Sequence, residues 1–237
     1  MDSDNDNNSL IAREICRSFD TAEGTLEVLK GVNLTIGRGD MVAVVGESGV
    51  GKSTLLHILG GLDRPTRGDI EFNGRQFHRM NEKELATFRT NHIGFVFQHH
   101  YLMDDFSAVE NIMIPALVAG RGKREAARIA EQLLGDVGLA DRTKHMPREL
   151  SGGEQQRVAV ARALINEPDF VIADEPSGNL DVKTGKKLHR LLKDLNATRG
   201  ATLLIATHNI DLARSCGKIV KLVNGLASEE TNGKAVS

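Results

Sequence analysis

The sequence predicts an α/β fold in which helices cover both faces of a mostly parallel sheet. Short apolar runs alternate along the chain with segments whose apolar residues recur at helical spacing, a pattern typical of strand–helix–strand units. A glycine-rich segment directly follows one of these apolar runs, where sheets of this class bind their ligands. Residues 80–150 have a mainly helical pattern, which predicts a lobe inserted into the sheet domain.

The composition is that of an ordinary globular protein with one large domain. The 237 residues are 40% hydrophobic and 26% charged, which is enough apolar material for a sizeable core. The formal net charge of -2 argues against the broad basic surface that binds nucleic acid, so we expect no nucleic-acid partner. Cys16 and Cys216 are the only cysteines, and they predict two unpaired thiols in a reducing compartment.

The polar ends of the chain and its short apolar stretches argue against export and membrane insertion. Residues 1–8 are acidic with no apolar run after them, so they predict a disordered tail and no signal peptide. Residues 228–237 predict a flexible tail for the same reason. The longest near-apolar stretch, Ile112 to Gly120, is well short of the roughly 20 residues that cross a bilayer. We therefore expect one domain over residues 9–227 and no direct membrane span.

The first third of the chain predicts strands around one short helix. Leu34–Ile36 precedes a glycine turn and has the pattern of the end of an edge strand. Met41–Val45 is a short, valine-rich apolar run, which favours a buried parallel strand. A helix is predicted at Ser53–Leu59, and Ile70–Phe72 is a strand that ends at an Asn-Gly turn.

The middle of the chain is helical, and the last third alternates again. Capping-box spacing marks helix starts at Asn81–Glu84 and Ser107–Glu110. Lys123–Val137 has helical spacing that ends at Gly138. The remaining predictions are strands at 93–97, 170–173, 203–206 and 219–223, a helix at 152–165, and a helix marked by Leu188, Leu191, Leu192 and Leu195.

The glycine-rich segment is a phosphate-binding motif. Residues 46–53 match G-x-x-x-x-G-K-[ST] between a predicted strand and a predicted helix. Glycine lets backbone N–H groups turn toward phosphate oxygens, and the helix N-terminus adds partial positive charge. Lys52 is expected to reach the β- and γ-phosphates, and the Ser53 hydroxyl to bind Mg²⁺. The residues predicted to contact ATP here are Gly46, Glu47, Ser48, Gly49, Val50, Gly51, Lys52, Ser53 and Thr54.

Two carboxylates end a buried apolar strand. Asp174 and Glu175 follow Phe170–Ala173, and alone they could equally be a charged strand end. Beside a phosphate loop, however, the carboxyl end of a strand is where open α/β sheets bind ligands. Asp174 is then expected to hold Mg²⁺ through water, and Glu175 to orient or deprotonate the attacking water. The two motifs together predict hydrolysis of ATP with Mg²⁺.

A third motif, Leu150 to Glu154, links the chain to a known family. It reads LSGGE before a predicted helix, and Ser151 and Glu154 have capping-box spacing. A helix cap alone does not explain two glycines in the first turn, since each costs roughly 1 kcal/mol relative to alanine. Close approach of backbone N–H groups to a phosphate does explain them. Here the sequence resembles the ABC ATPases, whose signature is LSGGQ or LSGGE, from about Leu10 to Leu226.

The resemblance implies a fold and further site residues. It implies a RecA-like P-loop NTPase core at 9–79 and 151–227, with an antiparallel β subdomain, and an inserted α-helical subdomain at 80–150. Gln98 is similar to the glutamine that contacts Mg²⁺ and the attacking water, and residues 179–181 to the loop that crosses the dimer interface. His208 resembles the histidine that contacts the γ-phosphate. Phe19 resembles the aromatic residue that stacks on adenine, although it could equally be a core phenylalanine.

The resemblance also implies partners. In the family, two cassettes pack with two-fold symmetry, and each signature caps the ATP that the other chain's lysine holds. The signature residues predicted to contact ATP are Ser151, Gly152, Gly153 and Glu154. The expected partners are a second copy of the chain, in an ATP-dependent homodimer, and integral membrane transporter subunits.

Two runs resemble one branch of the family. Residues 55–63 and 98–111 are most similar to the ATPases that release lipoproteins from the inner membrane. This implies LolC/LolE-like membrane subunits and a peripheral position on the cytoplasmic face of the bacterial inner membrane. Residues 150–157 read LSGGEQQR, which is shared with the ATPases of macrolide or peptide exporters and of cell-division complexes, so these functions remain alternatives.

Other nucleotide-binding classes fit the sequence less well. The Asn-Lys-x-Asp run with which P-loop GTPases read guanine is missing. A DNA-repair ABC ATPase has a long coiled coil between the residues that correspond to Lys52 and Ser151, and no sustained heptads occur there. Glu175 and His208 together argue against a module that binds nucleotide without hydrolysing it.

Overall fold

The computed structural model describes residues 10–22 and 24–231, which form two compact units. Unit 1 contains the residues up to Leu85 and those from Thr202 onwards, and unit 2 contains Ala86–Ala201. The strands are β1 (Leu10–Thr21), β2 (Gly24–Ile36), β3 (Met41–Val45), β4 (Arg67–Phe72), β5 (Arg75–Gln76), β6 (Ile93–Val96), β7 (Phe170–Asp174), β8 (Thr202–Ala206), β9 (Lys218–Val223) and β10 (Leu226–Thr231). The α-helices are α1 (Lys52–Leu59), α2 (Glu82–His92), α3 (Ala108–Val118), α4 (Lys123–Asp136), α5 (Gly152–Leu164), α6 (Val182–Arg199) and α7 (Ile210–Arg214).

One sheet of unit 1 is antiparallel. Its strand order is β2-β1-β4-β5, and the long β1–β2 hairpin pairs Leu10 with Ile36 at one end and Thr21 with Gly24 at the other. Leu10, Ala12 and Ile15 are buried along β1. The edge position of β2 agrees with the prediction made from its last three residues.

The other strands of unit 1 follow the order β10-β9-β3-β8. β3 lies between β9 and β8 and runs parallel to both. Val42, Ala43 and Val44 have no solvent exposure, which explains why β3 is apolar at every position. β9 and β10 form a hairpin through Asn224 and Gly225, both of which have positive φ.

The prediction of a flexible tail at 228–237 was wrong for residues 228–231. These residues form the end of β10, where Ser228 pairs with Lys221 and Glu229 with Val220. Polar side chains do not prevent a strand here, because β10 lies at the end of the strand order and pairs through its backbone. Residues 232–237 and the tail predicted at 1–8 lie outside the described residues.

Unit 2 combines one parallel strand pair with a helical layer. β6 and β7 pair in parallel from Ile93–Phe170 to Val96–Ala173. Helix α3 packs against α4 and α5, and α5 packs against β6. Four residues at helical spacing form the buried face of α4, namely Ala126, Ala130, Leu133 and Leu134.

The helix starts show the predicted side-chain caps. In unit 1 the Asn81 backbone N–H donates to Glu84, and the Glu84 N–H donates back to the Asn81 side chain, at 2.8 and 3.0 Å. At α3 the N–H and the hydroxyl of Ser107 both donate to the Glu110 carboxylate, at 3.0 and 2.7 Å. These bonds lower the pKa of Glu110 below its ordinary value.

The α/β fold class is confirmed, since parallel strands, an antiparallel sheet and a helical layer are all present. The division into a core at 9–79 and 151–227 and a lobe at 80–150 stays a prediction. No α-helix in the described ranges, 10–22 and 24–231, combines the length and the apolar content needed to cross a bilayer.

Candidate functional site

The P-loop, residues 46–53, leaves the N-terminus of α1 without a side-chain cap. The residue that precedes the helix, Gly51, has a φ of 105°, a left-handed conformation that favours glycine. A Cβ atom there would lie 2.7 Å from the Val28 side chain, so a larger residue does not fit. Because no side chain satisfies the first N–H groups of α1, they can bind an anion, as a phosphate cradle requires.

Lys52 is held over this loop. The residue is 8% exposed, and its Nζ donates to the backbone carbonyls of Gly46 and Glu47, both at 3.0 Å. An ammonium group has three donors, so these two bonds leave one hydrogen for a ligand. The loop thus provides a nearly buried positive charge at an uncapped helix end.

His208 leaves the sheet at the same edge as the P-loop. β3 and β8 are adjacent and parallel, with Val44 opposite Ala206, so the residues after both strands lie at one edge. The Thr207 backbone N–H donates to the Val44 carbonyl at 3.0 Å, and the Asn209 side chain caps α7. These contacts fix the backbone on both sides of His208, whose side chain is exposed.

Phe19 lies on β1 with its ring partly exposed. It is 38% exposed, and the guanidinium carbon of Arg17 lies 4.5 Å from the centre of the ring. Phe19 pairs with Leu26 on β2, two residues before Val28, the residue that packs at Gly51. The register between β1 and β2 shifts at Val28, so the continuity of the strand pair, and not a shared face, links Phe19 to the P-loop.

Gln98, Asp174 and Glu175 leave one edge of unit 2. Gln98 follows β6, while Asp174 is the last residue of β7 and Glu175 comes directly after it. The two strands are parallel, with Val96 opposite Ala173. Asp174 Oδ1 is buried and has no hydrogen-bond partner among the residues that the structure describes. Because an unsatisfied buried carboxylate oxygen is costly, this atom suits a metal ion or its bound water. Glu175 has a φ of 46°, which is uncommon outside glycine.

The signature residues form a capped helix start. The Ser151 N–H and hydroxyl both donate to Glu154 Oε2 at 2.8 Å, and Arg142 Nε donates to Glu154 Oε1 at 3.3 Å. The bonds from Ser151, followed by Arg142, lower the pKa of Glu154 below its ordinary value. A Cβ atom on Gly153 would overlap the methyl group of Thr184, so this position also needs glycine.

Several residues that hold the Gln98 segment were missed by the sequence analysis. Gln156, on α5, donates to the Phe97 carbonyl at 2.9 Å. Arg162, on the same helix, donates to the carbonyls of His100 and Tyr101 at 2.6 and 2.7 Å. No local pattern marks these two residues, because their partners lie 59 to 62 positions away along the chain.

Asn111 holds the other side of the same segment. It is completely buried in α3 and bonds the N–H of Met103 and the carbonyls of Met103, Phe106 and Ser107. A sequence signal existed here, since Asn111 is a polar residue beside Ile112 on an apolar helix face. The backbone of the segment is therefore fixed from two helices of unit 2.

The sequence of the chain is similar to those of proteins from one known family. The ABC transporter family model matches residues 29–178. The lipoprotein-releasing system ATP-binding protein LolD of Geobacter metallireducens is 51% identical over 212 residues, which are 90% of this chain and 94% of the relative. The protein of the same name in Syntrophus aciditrophicus is 50% identical over 213 residues, 90% of this chain and 96% of the relative.

A solved structure agrees with this match. It is the dimeric post-hydrolysis state of the ATP-binding cassette MJ0796 bound to ADP and Pi, with a TM-score of 0.87 and 38% identity. The similarity covers 94% of this chain and 98% of the solved one. The chain therefore belongs to the ABC transporter ATP-binding family, and it is an ATP-hydrolysing subunit of such a transporter.

Proposed function

We propose that two copies of this chain bind Mg-ATP at a shared interface and hydrolyse it to release lipoproteins from the inner membrane. The observation that carries the proposal is the difference between two helix starts. α1 begins uncapped at a buried lysine, and α5 begins at the glycine pair of the signature. The relatives named as lipoprotein-releasing system ATP-binding proteins support the cargo. The proposal includes LolC/LolE-like membrane partners and a place on the cytoplasmic face of that membrane.

Ser53, Gln98 and Asp174 would hold Mg²⁺, because hydroxyl, amide and carboxylate oxygens are the ligands that this ion prefers. The orphaned Oδ1 of Asp174 fits this role. When bound, the ion would neutralise charge on the phosphate oxygens. These three residues are therefore the proposed ligands of the ion.

The other polar residues act on the water and the phosphate. Glu175 accepts a hydrogen bond from the attacking water and orients it toward the γ-phosphorus. Lys52 donates its remaining hydrogen to the phosphates, and His208 contacts the γ-phosphate. Ser151, Gly152 and Gly153 of the second copy close the site from the other side, and Phe19 stacks on adenine.

The segment that follows Gln98, residues 99–106, is the proposed docking surface for the membrane subunits. Tyr101, Met103 and Phe106 are exposed by 64%, 51% and 41%, although the backbone that bears them is held by Arg162 and Asn111. An apolar surface on a fixed backbone is suited to receiving a partner helix.

Met103→Asp tests the docking surface. Met103 is 51% exposed, so the carboxylate of an aspartate at this position can stay in contact with solvent. ATP hydrolysis by the isolated chain should therefore stay within about twofold of the parent. Assembly with the membrane subunits should be lost in pull-down. Val118→Asp is the matched control, because Val118 is 71% exposed on the same unit but lies outside residues 99–106. Normal assembly of the Met103 variant would remove this surface from the proposal.

The cargo is tested in cells of the native host. Replacing the chain with its Glu175→Gln variant should leave lipoproteins in the inner-membrane fraction, because ATP binds but turnover falls by about 10²–10⁴-fold. Normal lipoprotein sorting, together with loss of macrolide resistance or a division defect, would favour the alternative exporter or cell-division functions. Identification of the membrane protein that co-purifies with the chain separates these outcomes further.

A further inference from the structure

Gln98 and Asn179 form a reciprocal hydrogen-bonded pair within unit 2. Gln98 Nε2 donates to Asn179 Oδ1 at 3.1 Å, and Asn179 Nδ2 donates to the backbone carbonyl of Gln98 at 3.2 Å. The same Nδ2 lies 3.4 Å from His99 Nδ1. A Cβ atom on Gly178 would lie 3.0 Å from Gln98 Nε2, so the two segments also touch beside the pair.

The backbone carbonyl fixes the orientation of both side-chain amides. A carbonyl oxygen can only accept, so Asn179 must turn its Nδ2 toward Gln98 and its Oδ1 away from that carbonyl. Oδ1 also only accepts, and Gln98 must therefore present Nε2 to it. The other end of the Gln98 amide, Oε1, is left outside this pair.

We infer that Asn179 is a positioning residue that keeps the amide oxygen of Gln98 available to Mg²⁺. The inference rests on the proposed role of Gln98 as a ligand of that ion. Mg²⁺ binds oxygen ligands, and an amide turned the other way would present N–H groups to it. Asn179 prevents this orientation before the ion binds, without touching the ion or the nucleotide itself.

The size of the effect follows from preorganisation. Immobilising one flexible side chain costs about 0.5–1.5 kcal/mol, which corresponds to about 2- to 13-fold in affinity. The hydrogen bonds between Asn179 and Gln98 immobilise the Gln98 side chain before the ion binds. Asn179→Ala should therefore weaken binding of the ion by a factor in that range. Nucleotide binding in the absence of a divalent ion should not change.

The experiment measures Mn²⁺ binding by electron paramagnetic resonance. The full chain is mixed with an equal concentration of a non-hydrolysable ATP analogue, and Asn179→Ala should weaken Mn²⁺ binding as stated. Gln98→Ala should also weaken it, and adding Asn179→Ala to Gln98→Ala should have no further effect. This loss of additivity is expected because Asn179 acts only through Gln98.

Two further variants separate positioning from general loosening. Asn166→Ala is the matched control, because Asn166 lies in unit 2 and donates to the carbonyls of Thr90 and Pro115 at 2.9 and 3.1 Å. It should lower the Tm but leave Mn²⁺ binding unchanged. Gly178→Ala removes no hydrogen-bonding group but crowds the Gln98 amide, so it should weaken Mn²⁺ binding in the same direction as Asn179→Ala.

The outcomes distinguish the inference from the proposed function. If Gln98→Ala weakens Mn²⁺ binding and Asn179→Ala does not, the inference is overturned while Gln98 keeps its proposed role. Additive losses in the double variant would overturn it too, since Asn179 would then act independently of Gln98. If Gln98→Ala itself binds Mn²⁺ normally, Gln98 is not a ligand, and the inference falls with that role.

Discussion

Helix α1 at the P-loop and helix α5 at the signature differ in whether side chains cap their first N–H groups. In both helices the N–H groups of the first turn have no partner within the helix itself. At α1 the preceding residue is Gly51, and no side chain caps the helix. At α5 Ser151 and Glu154 satisfy each other's groups, and Arg142 adds an ion pair to Glu154.

Because of this difference, we expect only α1 to bind phosphate without a second chain. α1 offers N–H groups without a side-chain cap and a nearly buried ammonium, so we expect a single chain to bind ATP there. At α5 the Ser151 hydroxyl already donates to a carboxylate, and that carboxylate carries negative charge beside any approaching phosphate. The signature is therefore expected to add binding energy only when the second chain presents an ATP that is already held.

The largest expected effect comes from removing the charge at α1. Lys52→Ala should weaken ATP binding by the isolated chain about 10- to 150-fold, because charge-assisted hydrogen bonds to phosphate contribute about 1.5–3 kcal/mol. Titration of a fluorescent ATP analogue measures this loss. Lys187→Ala, at an exposed position on α6, is the control and should bind normally. Equal affinity of the Lys52 variant and the parent would show that the lysine charge at α1 does not contribute to phosphate binding.

A smaller effect is expected from adding one methyl group at the signature. Gly152 has open space around its Cβ position, and alanine is a better helix former by about 0.8–1 kcal/mol. Gly152→Ala should therefore raise the Tm and leave ATP binding by the single chain unchanged. It should nevertheless weaken the ATP-dependent dimer, since the methyl group obstructs the backbone from reaching the partner's phosphate.

Sedimentation of the Gly152 variant in a Glu175→Gln background checks this prediction. A more stable chain with a weaker dimer supports a binding role for the glycine. A variant that is more stable and dimerises like its parent would show that this glycine has no role in phosphate contact.

The smallest expected effect concerns the cap itself. The pKa of Glu154 is lowered in the folded chain, so its contribution to stability is present above the unfolded pKa of about 4.3 and is lost as the pH falls through the folded value. Glu154→Gln should therefore be less stable than the parent near neutral pH, by up to about 1 kcal/mol. Thermal unfolding at decreasing pH should show this difference shrinking once the pH falls below the unfolded pKa, and disappearing below the lowered folded pKa. A difference that stays constant with pH would mean that the carboxylate charge is not what holds the cap.

Local patterns predicted the elements of this chain well, and the capping boxes in particular. The helices expected at Ser53–Leu59 and 152–165 are found at Lys52–Leu59 and Gly152–Leu164, because glycine turns and apolar spacing mark them directly. β10 was missed in part, since an edge strand with polar residues has no apolar alternation.

Without the family resemblance, which added Gln98, His208 and Phe19, the candidate site was predicted only where a motif is continuous in sequence. The P-loop, the two carboxylates and the signature are short runs, and the structure places each one at a strand end or a helix start. The partners of Arg162, Gln156 and Asn179 could not be predicted, because side-chain bonds between distant segments leave no periodic signal. Their role became visible only from the hydrogen bonds within unit 2.

If α1 of one chain and the signature of the other bind the same ATP, two chains with complementary defects should restore one complete site when they are mixed. Both chains carry Glu175→Gln, one with Lys52→Ala and the other with Gly152→Asp. Aspartate suits the first turn of a helix but repels phosphate. With Mg-ATP, each chain alone should sediment as a monomer. Their equimolar mixture should form a dimer, because it contains one site with both parts intact. A mixture that stays monomeric, while the Glu175→Gln chain alone dimerises, would contradict the account.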